Sequence, residues 1–261
     1  MGMNAANDPR AAGRPSPNKW IRRPPRAAEP RVQLLCFHYA GGGTSSFQQW
    51  IGKIPEWVDL RLIQLPGREN RFRERPYSAM RPLVQALADE LATVLCPPFL
   101  LFGHSMGARV SFALTHELVA RGLPLPELLV VSGTPAPSVT DWKHAHHLPE
   151  KELIEHLIHL GGVPPQVVEN PALLELMLPV IRCDLQLSET SVLTYPRPLD
   201  VPILALAGED DVIAPPEKVQ PWGKETSGPF EFVVLPGNHF FLHSLLDETL
   251  APVLRGIERF S

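Results

Sequence analysis

A serine stands between two glycines in Gly103-His104-Ser105-Met106-Gly107, where an apolar segment at 98–102 meets a helix-like stretch at 108–121. A serine hydroxyl attacks carbonyl carbon when a nearby base removes its proton. A sharp strand-to-helix turn strains the serine backbone, and small residues two positions away avoid clashes there. The spacing and its flanks predict a nucleophile elbow with Ser105 as the nucleophile.

The candidate base is His239, which follows an apolar segment and a Pro-Gly turn and so is expected in a loop after a strand. Imidazole titrates near pH 6.5 and can take and return the serine proton. His104 is the rival, but as the residue before Ser105 it is expected to point away from the hydroxyl and to serve in local packing or hydrogen bonding. The remaining clustered histidines match no metal-ligand spacing; they are His144, His146, His147, His156 and His159.

A carboxylate is needed to orient the imidazole and stabilise its protonated form. Three acids, Glu209, Asp210 and Asp211, follow the strand-like segment 202–207. Asp211 is preferred because it stands three residues after a glycine and before an apolar pair closed by proline, as is usual in hydrolases with such an elbow. Asp210 stays open as the alternative. Asp184 and Asp200 have no comparable context and are expected to be solvated or capping residues.

Acyl transfer also requires donors for the developing oxyanion, and fixed backbone amides suit that task. One donor is expected from Met106, the residue after the nucleophile. The other is expected from Ala40, in a glycine-rich loop (residues 38–43) after the apolar segment 32–37. The chain has no GxxxxGK[ST] and no GxGxxG, so this loop is not predicted to hold phosphates.

The elements that must position these residues alternate along the chain, which predicts an α/β fold with a mostly parallel sheet covered by helices. Strands are expected at 32–37, 59–64, 99–102, 128–132, 203–207 and 232–235, and helices at 80–95, 108–121, 216–225 and 241–259. A helical interval at about 137–198 breaks the pattern and predicts a lid insertion, with helices at 149–160 and 171–193 and a hinge at Gly161-Gly162 before Pro164-Pro165. Its apolar faces are expected to pack the helices down and in part to line an acyl channel.

Composition fits one enzyme domain at 31–261, after a Pro- and Arg-rich tail at 1–30 that is expected to be mobile. A net charge of -4 gives no support for a nucleic-acid partner. Three cysteines form no disulfide or metal pattern, and Cys36 and Cys96 are expected to be small buried hydrophobes. No apolar run is long enough for a membrane helix and no signal peptide is visible, so we expect a cytoplasmic protein without a membrane partner.

The motifs together resemble type II thioesterases of polyketide and nonribosomal peptide synthesis, with medium-chain fatty acyl thioesterases as relatives. The resemblance runs from about Arg31 onward and rests on the segments 36–42, 65–71, 103–108, 208–211 and 237–241. It implies an α/β-hydrolase fold and the same Ser105, His239, Asp211, Ala40 and Met106 roles, with no metal or cofactor. It further implies an editing enzyme whose partner is an acyl or peptidyl carrier protein bearing acyl-phosphopantetheine.

Substrate contacts are the least determined part of the sequence. Tyr39 stands where many relatives have His, and Asn238 where many have Gly, which leaves substrate preference open. Four arginines follow in one segment and form either a solvated loop or a contact for an acidic carrier protein or its phosphate; they are Arg68, Arg71, Arg73 and Arg75. The candidate substrate or carrier contacts are Tyr39, Arg68 and Arg71. A small-molecule esterase, an acyltransferase and a non-catalytic binding protein remain alternatives.

Overall fold

The protein is represented by a computed structural model that describes residues 18–26, 29–141, 144–162, 167 and 170–260. Seven strands form one sheet in the order β1-β3-β2-β4-β5-β6-β7, and every neighbouring pair is parallel except β1 with β3. The strands are β1 Ile21–Arg22, β2 Val32–Phe37, β3 Val58–Ile63, β4 Phe99–His104, β5 Leu128–Ser132, β6 Ile203–Gly208 and β7 Phe230–Leu235.

Helices connect and cover the strands. They are α1 Met80–Leu91, α2 Met106–Arg121, α3 Glu150–His159, α4 Pro171–Thr190, α5 Pro216–Val219, α6 Phe241–Ser244 and α7 Leu246–Glu258, with 3-10 turns at Thr44–Trp50, Glu69–Arg71 and Gln220–Lys224. The fold class predicted from the alternating pattern is therefore confirmed: a mostly parallel sheet with flanking helices.

Alternation within the central strands divides the core between the two faces of the sheet. Leu35 and Phe37 of β2 belong to the cluster that includes helices α1 and α2, whereas Leu34 and Cys36 belong to the cluster that includes helix α7. Side chains along a strand point to opposite faces, so an apolar run without polar alternation must be covered on both sides. Burial on both faces fixes the central strands and the loops at their ends.

The expectation of a mobile tail at 1–30 is wrong for residues 18–26, while residues 1–17, 27 and 28 lie outside the described part. Trp20 is buried, and Ile21 pairs with Ile63 across the sheet edge. The Arg71 guanidinium lies 4.3 Å from the Trp20 ring centroid. The short apolar pair in a polar segment gave too weak a signal for a strand, because its burial depends on residues far along the chain.

Several helix boundaries differ from expectation. The helix expected at 216–225 is a short α-helix, Pro216–Val219, followed by a 3-10 turn, and the helix expected at 171–193 ends at Thr190. Helix α1 ends at Leu91 instead of Leu95, which leaves Cys96 exposed in the following loop, so its predicted burial is wrong; Cys36 is buried as predicted. The single C-terminal helix expected at 241–259 is broken at Leu245, whose φ of -128° and ψ of 59° are not helical.

The interval between β5 and β6 carries α3 and α4, and we call residues 137–198 the lid insertion. Its apolar side chains form a third cluster, which includes Leu153, Leu157, Leu174, Leu178 and Ile181. Helix α3 ends before Gly161, which has φ of 70°. Pro164-Pro165 of the predicted hinge lies outside the described residues. Over the described ranges, no helix is both long and apolar enough to cross a membrane.

Candidate active site

Ser105 occupies the turn between β4 and α2 with φ of 55° and ψ of -116°, a strained conformation for a residue with a side chain. Gly103 and Gly107 must both be glycine, because backbone atoms lie where a Cβ would be. A Cβ on Gly103 would lie 2.3 Å from the Gly107 carbonyl oxygen, and a Cβ on Gly107 would lie 2.2 Å from that of Phe37. The half-buried Ser105 side chain therefore stands at a tight turn with the geometry of an elbow.

His239 is buried and contacts Asp211 directly, with 2.7 Å between Nδ1 of the histidine and Oδ2 of the aspartate. The other carboxylate oxygen accepts from the backbone N–H groups of Ile213 at 2.8 Å and Ala214 at 3.0 Å. An ionised carboxylate only accepts, so the imidazole proton lies on Nδ1 and Nε2 is left as the basic nitrogen. Asp210, the alternative, is exposed.

Backbone contacts hold the acid loop against the histidine loop. The Glu209 N–H donates to the Leu235 carbonyl at 2.8 Å, and the Asp210 N–H donates to the Gly237 carbonyl at 2.9 Å. A Cβ on Gly208 would lie 2.7 Å from the Gly237 carbonyl oxygen. The ends of neighbouring strands β6 and β7 thus position Asp211 and His239 without relying on either side chain.

His104 packs against the back of this pair. Its Nδ1 lies 2.9 Å from the Ser132 hydroxyl oxygen, and its ring centroid is 5.1 Å from that of His239. Burial lowers the pKa of His104 well below its usual value, so the ring is neutral. This agrees with the prediction that His104 serves in local packing and hydrogen bonding, and its contact with His239 was not visible in the sequence.

The two predicted oxyanion donors belong to segments that meet at the elbow. Met106 is the first residue of α2, so its N–H has no acceptor within the helix. A Cβ on Gly107 would lie 2.7 Å from the His38 carbonyl, which places the start of the glycine-rich loop beside the elbow. That loop makes a tight turn, in which the Gly42 N–H donates to the Tyr39 carbonyl at 3.0 Å and Gly41 has φ of 76°. Ala40 lies inside this turn.

A cavity of about 1440 Å³ opens beside these residues. Its wall includes Tyr39 and Asn238, the chain neighbours of Ala40 and His239, while Ser105 and His239 are not among its wall residues. The lid insertion supplies an apolar wall that includes Ile158, Leu173, Leu176, Met177 and Val180. The cavity is large enough for an extended apolar chain and reaches the edge of the site.

Tyr39, a predicted substrate contact, forms a polar pair on this largely apolar wall. Its hydroxyl lies 3.1 Å from Nε2 of His243, and its ring is edge-on to Phe240 with 5.0 Å between centroids. Burial lowers the pKa of His243 and raises that of Tyr39, so both side chains are neutral near pH 7.

Arg68, the second predicted substrate contact, is committed to internal bonds. Its guanidinium forms a two-pronged ion pair with Asp184 of α4, at 2.6 Å and 2.8 Å, and also donates to the Gly42 carbonyl at 3.1 Å. Both side chains are buried, which corrects two expectations: Arg68, although it lines the cavity described above, is neither a solvated loop residue nor a surface contact for a carrier, and Asp184 is neither solvated nor a helix cap. The sequence separation of 116 residues hides this pair from any local pattern.

Arg71, the third predicted contact, is also occupied inside the protein. It donates to Glu74 at 2.9 Å and 2.6 Å and to the Gln64 carbonyl at 2.7 Å. Its buried guanidinium corrects the expectation that it meets a carrier. Arg73 and Arg75 of the same segment are exposed.

The clustered histidines of the lid insertion include one with an acidic partner. Across the described residues, no group of three or more His, Cys, Asp or Glu side chains is arranged to hold a metal ion. His146 instead contacts Glu189 of α4, with 2.6 Å between Nδ1 and Oε2.

An elbow serine, a carboxylate-bound histidine and a parallel sheet define the α/β-hydrolase class of serine hydrolases. Residues 32–260 match the Thioesterase domain family. The chain therefore belongs to the thioesterase family and is a serine hydrolase that acts on thioesters.

Similar proteins come from natural-product pathways. Linear gramicidin dehydrogenase LgrE of Brevibacillus parabrevis is 37% identical over 240 residues, covering 90% of this chain and 91% of that protein. The RedJ thioesterase of the prodiginine pathway in Streptomyces coelicolor is 38% identical with a TM-score of 0.84, over 89% of this chain and 95% of that one. The type II thioesterase BorB of the borrelidin cluster is 33% identical with a TM-score of 0.83, over 91% and 97%. LgrE is named for a redox activity, whereas this chain has no GxGxxG dinucleotide fingerprint.

Proposed function

We propose that this thioesterase is a type II editing enzyme that removes aberrant or stalled acyl groups from the phosphopantetheine arm of acyl or peptidyl carrier proteins. The observation that carries the proposal is the buried His239–Asp211 contact of 2.7 Å beside the Ser105 elbow, in a chain similar to type II thioesterases. An enzyme of this kind restores a blocked assembly line. We place it in the cytoplasm, where such assembly lines load their carriers.

Acylation begins when Nε2 of His239 takes the Ser105 proton and the serine oxygen attacks the thioester carbonyl carbon. Asp211 accepts from Nδ1 and stabilises the imidazolium that forms. The carbonyl oxygen becomes an oxyanion between the backbone N–H groups of Ala40 and Met106. Collapse of the tetrahedral adduct breaks the C–S bond, the His239 imidazolium gives its proton to the departing sulfur, and an acyl group is left on Ser105.

Deacylation repeats the same proton transfers with water. His239 removes a proton from a water molecule, which attacks the acyl carbon, and the free acid leaves as the Ser105 oxygen regains its proton. None of these steps requires a metal or a cofactor. A thiol departs readily as thiolate, so the site needs less proton assistance than it would for an amine.

The acyl group is assigned to the cavity of about 1440 Å³ between the lid insertion and the loops beside the site. Its wall favours apolar chains, because burying a methylene group stabilises the complex by about 0.8 kcal/mol. The polar Tyr39–His243 pair is the one point on this wall where we assign recognition of a polar acyl substituent.

Carrier docking is assigned to the exposed side chains near the cavity mouth, with Arg73 and Arg75 in place of the buried Arg68 and Arg71. Phe72, which lies between Arg71 and Arg73 in the chain, lines the cavity and is 57% exposed. An apolar residue flanked by cations suits an acidic partner that brings a long substituent.

The experiment compares hydrolysis of an acyl-phosphopantetheinyl carrier protein with hydrolysis of an oxygen ester of the same acyl group. We expect a strong preference for the carrier thioester and loss of both activities in Ser105→Ala. A preference for the ester would replace the editing role with that of a small-molecule esterase. Activity retained in Ser105→Ala would overturn the assigned nucleophile.

Two further comparisons separate the remaining alternatives. Equal rates on carrier-bound and coenzyme A thioesters of medium chain length would favour a fatty acyl thioesterase. A product that forms only with an added alcohol or amine would favour an acyltransferase. Binding of the carrier with no turnover would reduce the chain to a non-catalytic binding protein.

A further inference from the structure

Asp184 is a buried carboxylate on helix α4 of the lid insertion, and it contacts the glycine-rich loop directly. Its Oδ2 accepts from the Gly41 backbone N–H at 2.8 Å and from the Arg68 guanidinium at 2.6 Å. Its Oδ1 accepts from a second Arg68 nitrogen at 2.8 Å. One side chain of the lid insertion thus binds the residue that follows Ala40.

Arg68 fastens the same loop from the other side. Its guanidinium donates to the Gly42 carbonyl at 3.1 Å and to the Pro66 carbonyl at 3.2 Å, in addition to Asp184. Gly41 and Gly42 are therefore held at an N–H and at a carbonyl by one ion pair. Such charge-assisted, two-pronged contacts fix geometry more firmly than single neutral hydrogen bonds do.

Packing between α4 and the loop is as close as the hydrogen bonds imply. A Cβ on Gly41 would lie 2.7 Å from Cγ1 of Ile181, three residues before Asp184 on the same helix. Gly41 has φ of 76°, so the turn around Ala40 depends on a conformation that other residues rarely adopt. Contact with α4 therefore supports this conformation of the loop.

We propose that Asp184 is a positioning residue: it orients the Ala40 N–H toward the oxyanion through Gly41, and so couples seating of α4 to assembly of the oxyanion site. This rests on the proposed function, which takes Ala40 as a donor. An acyl chain that holds α4 against the glycine-rich loop then completes the donor pair. When α4 moves away from the loop, Met106 is the remaining donor.

The chain offers a matched control on the same helix. Glu189 is also a buried carboxylate of α4, and it accepts from the Ala145 N–H at 2.9 Å and the His146 N–H at 3.0 Å. These contacts tie the lid insertion to itself and do not involve the glycine-rich loop. Glu189→Gln therefore reports the effect of weakening the lid insertion alone.

The test measures kcat and KM on a p-nitrophenyl ester, the Kd of an alkyl boronic acid that adds to Ser105, and the melting temperature. For Asp184→Asn we expect kcat to fall on the order of 10- to 100-fold, since small misplacements of a catalytic group have effects of that size. We expect the boronic acid to bind more weakly by a similar factor, because its adduct uses the same donors, while KM changes less than about threefold.

Asp184→Glu keeps the charge for Arg68 but displaces the carboxylate by one methylene, so it tests position when Asp184→Asn fails to fold. A loss of kcat and boronic acid affinity in either variant, with Glu189→Gln within about threefold of the parent, supports the proposal. Unchanged kcat and boronic acid affinity in folded Asp184→Glu and Asp184→Asn would overturn it, and so would an equal loss in Glu189→Gln.

The readouts also distinguish this inference from the editing role. The p-nitrophenyl ester needs no carrier. If the parent enzyme fails to hydrolyse carrier thioesters, the editing role is therefore wrong, but the result for Asp184 still holds. Ester hydrolysis that survives in Ser105→Ala would remove the assigned site and the Asp184 inference together.

Discussion

At the scale of single residues, the Asp211 carboxylate is held for one task. Two backbone N–H groups fix one of its oxygens, which leaves the other to contact His239 at 2.7 Å. Burial removes competing water from this contact. A carboxylate fixed in this way orients the imidazole without reaching the substrate itself.

Replacing Asp211 by Asn should lower kcat by about 10³- to 10⁴-fold, because an amide in its place favours the wrong imidazole tautomer. The neighbouring Asp210→Asn is the matched control, since its exposed side chain should leave kcat within about threefold. Steady-state hydrolysis of one thioester by the three proteins checks this. A comparable loss in Asp210→Asn would mean that the wrong acid has been assigned.

The Tyr39–His243 pair predicts a change in acyl preference. The double variant Tyr39→Phe/His243→Leu removes the two polar groups of this pair together, so that no partner is left unpaired within it. We expect the ratio of kcat/KM for an octanoyl over a 3-hydroxyoctanoyl thioester to rise about 10-fold, as one lost hydrogen-bonding site implies. Tyr77→Phe, outside this cavity, should leave the ratio unchanged. An unaltered ratio in the double variant would assign the pair to packing.

Residue-scale inference from the sequence worked where a side chain's role depends on its neighbours in the chain. The positions of Ser105, Asp211 and His239 relative to strand ends could be read from local motifs. The burial of Arg68 and Arg71 could not be read in this way. Arg68 pairs with a residue 116 positions away, and Arg71, although it pairs with the nearby Glu74, also contacts the ring of Trp20 from a distant segment.

At the scale of elements, the elbow depends on contacts between backbones. Gly103 faces the Gly107 carbonyl across the turn, and Gly107 faces the Phe37 carbonyl at the end of β2. Long apolar strands such as β2 and β4 were predictable, because their burial needs no exact partner. The two-residue strand β1 and the break at Leu245 were not, since tertiary packing decides both.

Gly107→Ala should destabilise the protein by at least about 3 kcal/mol and abolish most activity, because its Cβ would meet backbone that cannot move aside. Gly256→Ala is the control: its Cβ would meet the end of the Leu128 side chain, which can rotate, so we expect a change below about 1 kcal/mol. Urea unfolding of the three proteins checks both values. Equal stability of Gly107→Ala and the parent would contradict the elbow packing.

At the scale of the whole molecule, the described N-terminal segment closes one edge of the sheet. β1 pairs with β3, and Trp20 is buried in the core on the α1 and α2 face. Its indole also receives the Arg71 guanidinium, which adds a cation–π contact to the apolar burial. The segment is therefore part of the folded unit, although its composition resembles that of a mobile tail.

Trp20→Ala should lower the free energy of unfolding by about 3 to 5 kcal/mol, as expected for truncating a buried tryptophan. It should leave kcat nearly unchanged at a temperature where the protein is folded, because Trp20 is not among the residues of the site. Chemical denaturation and initial-rate assays on the same preparation check the two parts. A loss below about 1 kcal/mol would mean that residues 18–26 do not stabilise the fold.

Buried neutral histidine makes the whole molecule sensitive to acid. Burial, together with the nearby Arg68 charge, lowers the pKa of His38 from 6.5 to about 4. The unfolded chain therefore binds this proton at a higher pH than the folded chain does. The stability associated with neutral His38 is complete above pH 6.5 and is lost as the pH falls toward 4.

His38→Gln should remove this part of the acid sensitivity, because glutamine does not titrate. Between pH 7 and pH 4.5, the free energy of unfolding should fall by about 2 to 3 kcal/mol more in the parent than in the variant. The difference in slope, and not the stability at any one pH, is the quantity to measure, since the substitution also changes packing. Urea titrations at half-unit steps of pH give it, and parallel curves would show that His38 takes up its proton equally well in the folded and unfolded chains.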